Sequence, residues 1–244
     1  VAVTGVQTCA LPICNRATVE EQAMKALLSP FAYGNKDYAE AVAKMKALGY
    51  KPMFEKAFPN EAEPVNEENW AKAIGAFERT LLTPAPFDRY LKGDPQAISK
   101  EAKIGLEKFM SVGCAGCHNG VTVGGQMYQK FGLLEDYWLA TGSKEIEVLK
   151  GRDMGRWHDT QKPEDKFIFK VPQLRNVAVT PPYFHDGSVE KLDDAVRVMA
   201  RLQLGKKLSD EDVKHIVAFL QSLTGDIPKQ FLNAPPLPVA SFNN

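Results

Sequence analysis

The sequence lacks a net charge: thirty basic residues balance thirty acidic ones. No global field therefore pulls the chain onto nucleic acid or an anionic membrane surface. It also lacks any apolar run of the roughly 18 to 20 residues that would span a bilayer. Alternating strand patterns are few, and no internal repeat or low-complexity tract stands out. Only four cysteines and four histidines are present. No second Cys pair and no His-x-x-x-His follows the first Cys pair, which leaves a four-ligand zinc site short of donors.

What is present is a sequence of helix signals. The chain has 244 residues, of which 44% are apolar, enough for one large or two small domains with a packed core. Thr18 followed by Glu21 reads as a capping box opening a helix over 19–28, which Pro30 and Gly34 stop. Residues 36–48 repeat apolar side chains at helical spacing up to Gly49. Asn66 is placed to cap a helix over 67–82, with Trp70, Ile74, Phe77 and Leu81 as its expected buried stripe. Pro84 and Pro86 end that helix, and the turn at Lys92-Gly93-Asp94-Pro95 reads as a domain boundary. Ser99 caps a helix over 100–110. Residues 119–182 are loop-rich. Helical period returns over 189–202 and again over 211–223, the second opened by Ser209 with Asp212. The fold class expected is mainly α. The segment 228–244 reads as an extended Pro-rich tail, and residues 1–14, which contain Cys9 and Cys14, lack period, charge and caps. That opening string resembles a translated sequencing adapter and is read as non-native.

The chemistry concentrates at Cys114-Ala-Gly-Cys117-His118. Cys-x-x-Cys-His is the attachment signature of c-type haem: two thiols add across the vinyl groups and the adjacent His supplies an axial nitrogen. Two other readings stand beside it. A zinc site needs further ligands, and a redox dithiol belongs after a strand in a βαβ unit, whereas this motif follows a helix. Haem is the reading the pattern favours. For the other face of the iron the sequence offers Met127, Met154, Met199, His158, His185 and His215. A Met ligand raises the reduction potential and suits electron transfer. Pattern alone leaves the choice open, because a Met at helical spacing is usually core packing. Arg175 reads either as a partner for a haem propionate or as an ordinary surface arginine.

From residue 15 to about 226 the chain resembles the bacterial di-haem cytochrome c peroxidases. The resemblance rests on the blocks RATVEEQA, AFERTLLTPAPFDRYLKGD, GCAGCHNGVTVGG, FKVPQLRNVAVTPPYFHDGSV and AVRVMARLQLGKKLSDEDVKHIVAFLQSLTG. It implies a cytochrome c-like haem domain at 96–227 and, at 15–95, the remnant of a second such domain. It implies that Cys114, Cys117, His118 and Met199 hold a high-potential haem c that receives electrons, and that a second haem in the parent protein reduces hydrogen peroxide. The electron donor it implies is a small c-type cytochrome or cupredoxin, and the compartment is the periplasm. Calcium is implied at the backbone carbonyls of Thr180 and Pro182, hard oxygen donors of the kind that ion takes. Family members are often homodimers.

Gln22 matches a glutamine near the peroxide pocket. Three departures set the chain apart: the peroxidatic Cys-x-x-Cys-His with its distal ligand would precede it, as would a tryptophan between the haems, and Ala32 stands where the family places a proton-handling glutamate. A related branch that oxidises tryptophan in a partner protein carries Tyr at the axial Met position, and Met199 argues against it. The alternative reading is a mono-haem electron-transfer module without peroxidase activity.

Overall fold

A computed structural model of the chain describes residues 18–30, 32–81, 83–141, 151 and 153–238. The segment 1–14, with Cys9 and Cys14, lies outside the described residues. The fold is mainly α, and among the described residues the only sheet has two short strands. The chain divides into two compact units, one spanning Thr83–Ile227, the other formed by the described residues before it together with those from Pro228 onward.

The unit containing the chain's first described residues is built from α1 (Val19–Leu28), α2 (Tyr38–Ala47), α3 (Lys51–Ala57) and α4 (Glu67–Thr80). Thr18 Oγ1 accepts from the Glu21 amide, and Asn66 Oδ1 accepts from that of Asn69, so two helices begin where their caps predict. Leu27, Ala41, Met45, Phe54 and Val65 form the core, with Trp70 packed against it. The stripe expected on α4 is corrected at one position. Leu81 is buried, Trp70 packs on the core and Ile74 is half-buried, with Asn69, Ala71 and Gly75 also buried, but Phe77 is exposed and lies edge-on to Phe231 at 5.6 Å. The small residues set this face, because α1 packs close to α4: a Cβ at Gly75 would stand 2.5 Å from the Glu20 carboxylate. The part of the C-terminal segment that is described carries a 3-10 turn, Lys229–Phe231, and groups with this unit.

The boundary expected at 95/96 moves to 82/83. The reason is α5 (Pro86–Leu91), which begins at a proline rather than ending there. Proline is tolerated at a first helical position, where no amide partner is needed. Asp88 reaches back to accept from the Ala85 amide at 2.7 Å. Phe87 then packs with Phe109, Phe219, Ile216 and Leu220 in the core of the second unit.

That unit continues with α6 (Lys100–Val112), the strands β1 (Tyr128–Lys130) and β2 (Ile168–Lys170), the short helices α7 (Tyr137–Ala140) and α8 (Trp157–Thr160), and finally α9 (Leu192–Leu204) and α10 (Asp210–Gln221). Strands β1 and β2 pair antiparallel with Gln129 opposite Phe169. Helices α6 and α10 cross so closely that a Cβ at Gly105 would stand 1.8 Å from the His215 carbonyl oxygen. Among the described residues no helix is long and apolar enough to cross a membrane.

Candidate functional site

The site grows from the end of α6. Gly113 leaves the helix in the left-handed region at φ 113°, as a C-cap glycine does. A 3-10 turn, Cys114–Gly116, follows. The amides of Cys117 and His118 both donate to the Cys114 carbonyl, at 3.2 and 3.0 Å, which wraps the motif into one turn. Both thiols are half-buried and neither forms a disulfide. Lys206 Nζ donates to the Val112 carbonyl at 2.7 Å, a cation closing the helix's negative end.

Burial pushes the Cys114 thiol up to about 11. Redox dithiols need a thiol lowered toward neutrality, so this environment opposes the dithiol reading. Among the described residues no group of three His, Cys, Asp or Glu side chains is placed to hold a metal ion, while a structural zinc needs four ligands.

His118 carries the strongest signal. Its Nδ1 atom is buried without a hydrogen-bond partner. Burial holds the ring well below its ordinary value, at about 4, and the carbonyls of Pro172 and Val123 beside it offset part of that drop. The imidazole is therefore kept neutral, the form that binds a metal. Gly124 makes the approach possible: at φ +126°, a Cβ there would stand 2.1 Å from the Pro172 oxygen and 3.1 Å from His118 Nδ1. A metal-ligating His nearly always turns its second nitrogen to a backbone carbonyl or carboxylate. One nitrogen so enclosed leaves the other free for iron, and the residues present fit a c-type haem. Gly124 and Pro172 were not singled out from sequence; the glycine pair after the motif is the signal that could have found them.

Met199 lies on α9, half-buried. Leu192 and Val196, seven and three residues before it on the same face, pack against the core cluster of Phe109, Ile216 and Phe219, against which Cys114 and Ala115 also pack. An adjoining side of α9, through Leu202 and Val198, packs with Tyr137 and Trp138. Of the competing ligands, His185 Nε2 is hydrogen-bonded to Asp153 at 2.5 Å and His158 Nε2 accepts from the Met154 amide.

Arg175 has a protein partner where the sequence suggested a propionate or open surface. Its two terminal nitrogens bind both Asp88 oxygens at 2.8 and 2.7 Å, and its Nε donates to the Val121 carbonyl at 2.7 Å. Thr180 and Pro182 lie in the stretch 180–182, with Thr180 Oγ1 turned back onto the Asn176 and Val177 carbonyls. Gln22 is half-buried on α1, and Ala32 is exposed in the turn that follows. Both belong to the other unit, so the structure does not group them with the Cys motif.

Comparison with known proteins places the chain in a family. A family model described as di-haem cytochrome c peroxidase matches residues 10–96. The cytochrome c551 peroxidase of Pseudomonas aeruginosa is 46% identical over 193 residues, 79% of this chain and 53% of that protein. The chain belongs to the di-haem cytochrome c peroxidase family. The cytochrome c peroxidase of Escherichia coli is 41% identical over 211 residues, covering 86% of this chain and 43% of that protein. The chain thus spans about half the length of the curated relatives it matches. Among solved structures, a MauG-like protein associated with microbial copper homeostasis superimposes with a TM-score of 0.71 at 25% identity, covering 87% of this chain and 70% of that one. Its fold places this peroxidase-family chain among cytochrome c-like proteins.

Proposed function

We propose that Cys114, Cys117 and His118 hold one haem c, with Met199 as the second axial ligand, and that this unit accepts electrons for a peroxidase that reduces hydrogen peroxide to water. The observation that carries the reading is His118: a neutral imidazole whose Nδ1 is buried and unpaired near the Pro172 carbonyl, one turn from two half-buried thiols. When bound, the haem supplies an iron that takes up and passes on single electrons. Cys114 and Cys117 would fix it covalently, His118 would orient it and donate to it, and a Met199 ligand would favour its reduced state. The Phe109, Val123 and Ile216 core excludes water behind the motif. The donor would be a small c-type cytochrome or cupredoxin and the compartment the periplasm, with a homodimer as the assembly. Calcium at the Thr180 and Pro182 carbonyls belongs to the same proposal.

A second reading rests on Ala32, whose methyl side chain cannot move the peroxide proton. On that reading the chain is an electron-transfer module alone.

The test is expression in a periplasm equipped with haem-attachment machinery. We expect one covalent haem per chain and the weak long-wavelength band of Met-ligated ferric iron, lost in Met199→Ala. A protein without covalent haem would overturn the assignment, and a band that survives Met199→Ala would remove Met199 from the ligand set.

A further inference from the structure

The segment 171–176 touches the Cys motif's surroundings at several points. Gly125 donates to the Val171 carbonyl at 2.8 Å, and the Leu174 amide lies 3.3 and 3.2 Å from the Thr122 and Val123 carbonyls. The Pro172 carbonyl and His118 Nδ1 both border Gly124, 2.1 and 3.1 Å from where its Cβ would stand, and Nδ1 makes no hydrogen bond in this structure, so Pro172 is the carbonyl at hand for it when haem binds. Arg175 closes the set from outside, tying the Val121 carbonyl to the Asp88 carboxylate.

Asp88 is itself anchored twice. It caps α5 through the Ala85 amide, and its neighbour Phe87 sits in the core with Phe219, 5.2 Å between rings. That core includes Phe109, whose ring lies 6.4 Å from that of His118. Both ends of the Arg175 bridge are thus referred to the same packed cluster. The Arg175 side chain is 13% exposed and that of Asp88 24%, so the pair is shielded from the screening that makes surface bridges weak. Val121, by contrast, is 74% exposed. The turn it belongs to leads into Val123 and Gly124, the residues beside His118, and Arg175 ties its exposed start to Asp88.

We propose that Asp88 and Arg175 are positioning residues that hold the 121–124 turn and Pro172 against His118 Nδ1, and so set how strongly His118 donates to the haem iron. This rests on the proposed attachment of haem through Cys114, Cys117 and His118. A firm Nδ1–H to carbonyl contact raises the basicity of the imidazole and favours the oxidised metal. Loosening the turn weakens that contact, and the midpoint potential rises. Only a guanidinium can hold two carboxylate oxygens and a third acceptor in one plane.

The test uses the full haem-loaded chain with Arg175→Lys, Arg175→Ala and Asp88→Asn. Arg175→Lys keeps the charge, so any change it causes reports geometry. Haem stoichiometry, midpoint potential and the proton-NMR signal of the His118 Nδ1–H in the reduced protein are measured together. We expect full haem in Arg175→Lys and Asp88→Asn, a raised potential in both, and an upfield-shifted, faster-exchanging Nδ1 proton. Full haem with wild-type potential and an unmoved proton in Arg175→Lys would make the pair a structural tie only and overturn the proposal, whether or not Arg175→Ala folds. Wild-type chain without covalent haem would overturn the proposed function and this inference with it.

Discussion

At the scale of single residues, the site depends on a backbone position that tolerates no side chain. Gly124 sits at φ +126°, and a methyl group there would stand 2.1 Å from the Pro172 oxygen. That is less than any real contact allows, and the obstacle is backbone, which cannot rotate away. The Gly124→Ala protein must push the Pro172 carbonyl from His118 or distort the turn, at a cost of about 2–4 kcal/mol. We expect a fall in covalent haem yield of severalfold, with a midpoint potential above that of the wild type in whatever fraction loads. Haem content and redox titration check both. The Cys-x-x-Cys-His string could be read directly from sequence because its chemistry is local, within one turn. The enclosure of His118 could not, because Pro172 arrives from a segment far along the chain. Arg175 shows the same limit: its residue type announces a bidentate partner, but whether that partner is a propionate or Asp88 depends on where α5 packs.

At the scale of elements, most helices could be read from their caps and apolar period. Ser99 and Ser209 accept from the Ala102 and Asp212 amides, each at 3.1 Å, at the positions their spacing implies. Helices α3 and α5 carry proline at N1 or N2 and make no side-chain cap bond, so α3 shows no capping signal and the start of α5 reads as a stop. The strands β1 and β2 were hidden because three residues each are too short for alternation to show. Period misplaced only Phe77 on α4, and it missed the small residues Ala71 and Gly75 that share the packed face. The same principle governs α6 and α10, which bring the haem motif and the C-terminal helix together at Gly105. A Cβ there meets the His215 carbonyl at 1.8 Å and Phe219 Cβ at 3.0 Å. Gly105→Val forces the helices apart and opens the Phe109–Phe219 contact, 5.2 Å between rings. We expect a loss of roughly 3–5 kcal/mol, read as a lower denaturant midpoint for the transition that releases haem-region absorbance.

At the scale of the whole molecule, the proposed function divides the chemistry between the two units. The unit spanning Thr83–Ile227 holds Cys114, Cys117, His118, Met199 and Arg175, while Gln22 and Ala32 lie in the other. If His118 and Met199 occupy both axial positions, peroxide has no place at this iron, whatever the full-length relatives achieve. The other unit then has to supply the proton chemistry, and the position expected to do so is a methyl group exposed in a turn. General acid–base groups contribute on the order of 10²–10⁴ in rate, so their loss is measurable even where some reactivity persists. The 244-residue chain, loaded with its haem and supplied with a reduced small cytochrome, should therefore accept electrons rapidly yet consume peroxide no faster than the donor does alone. Stopped-flow reduction of the haem and steady-state oxidation of the donor under peroxide separate the two activities. Fast reduction with background turnover supports an electron-accepting unit whose peroxide chemistry lies elsewhere. Robust turnover would mean that Met199 leaves the iron, and the Met band should then fade as peroxide is added.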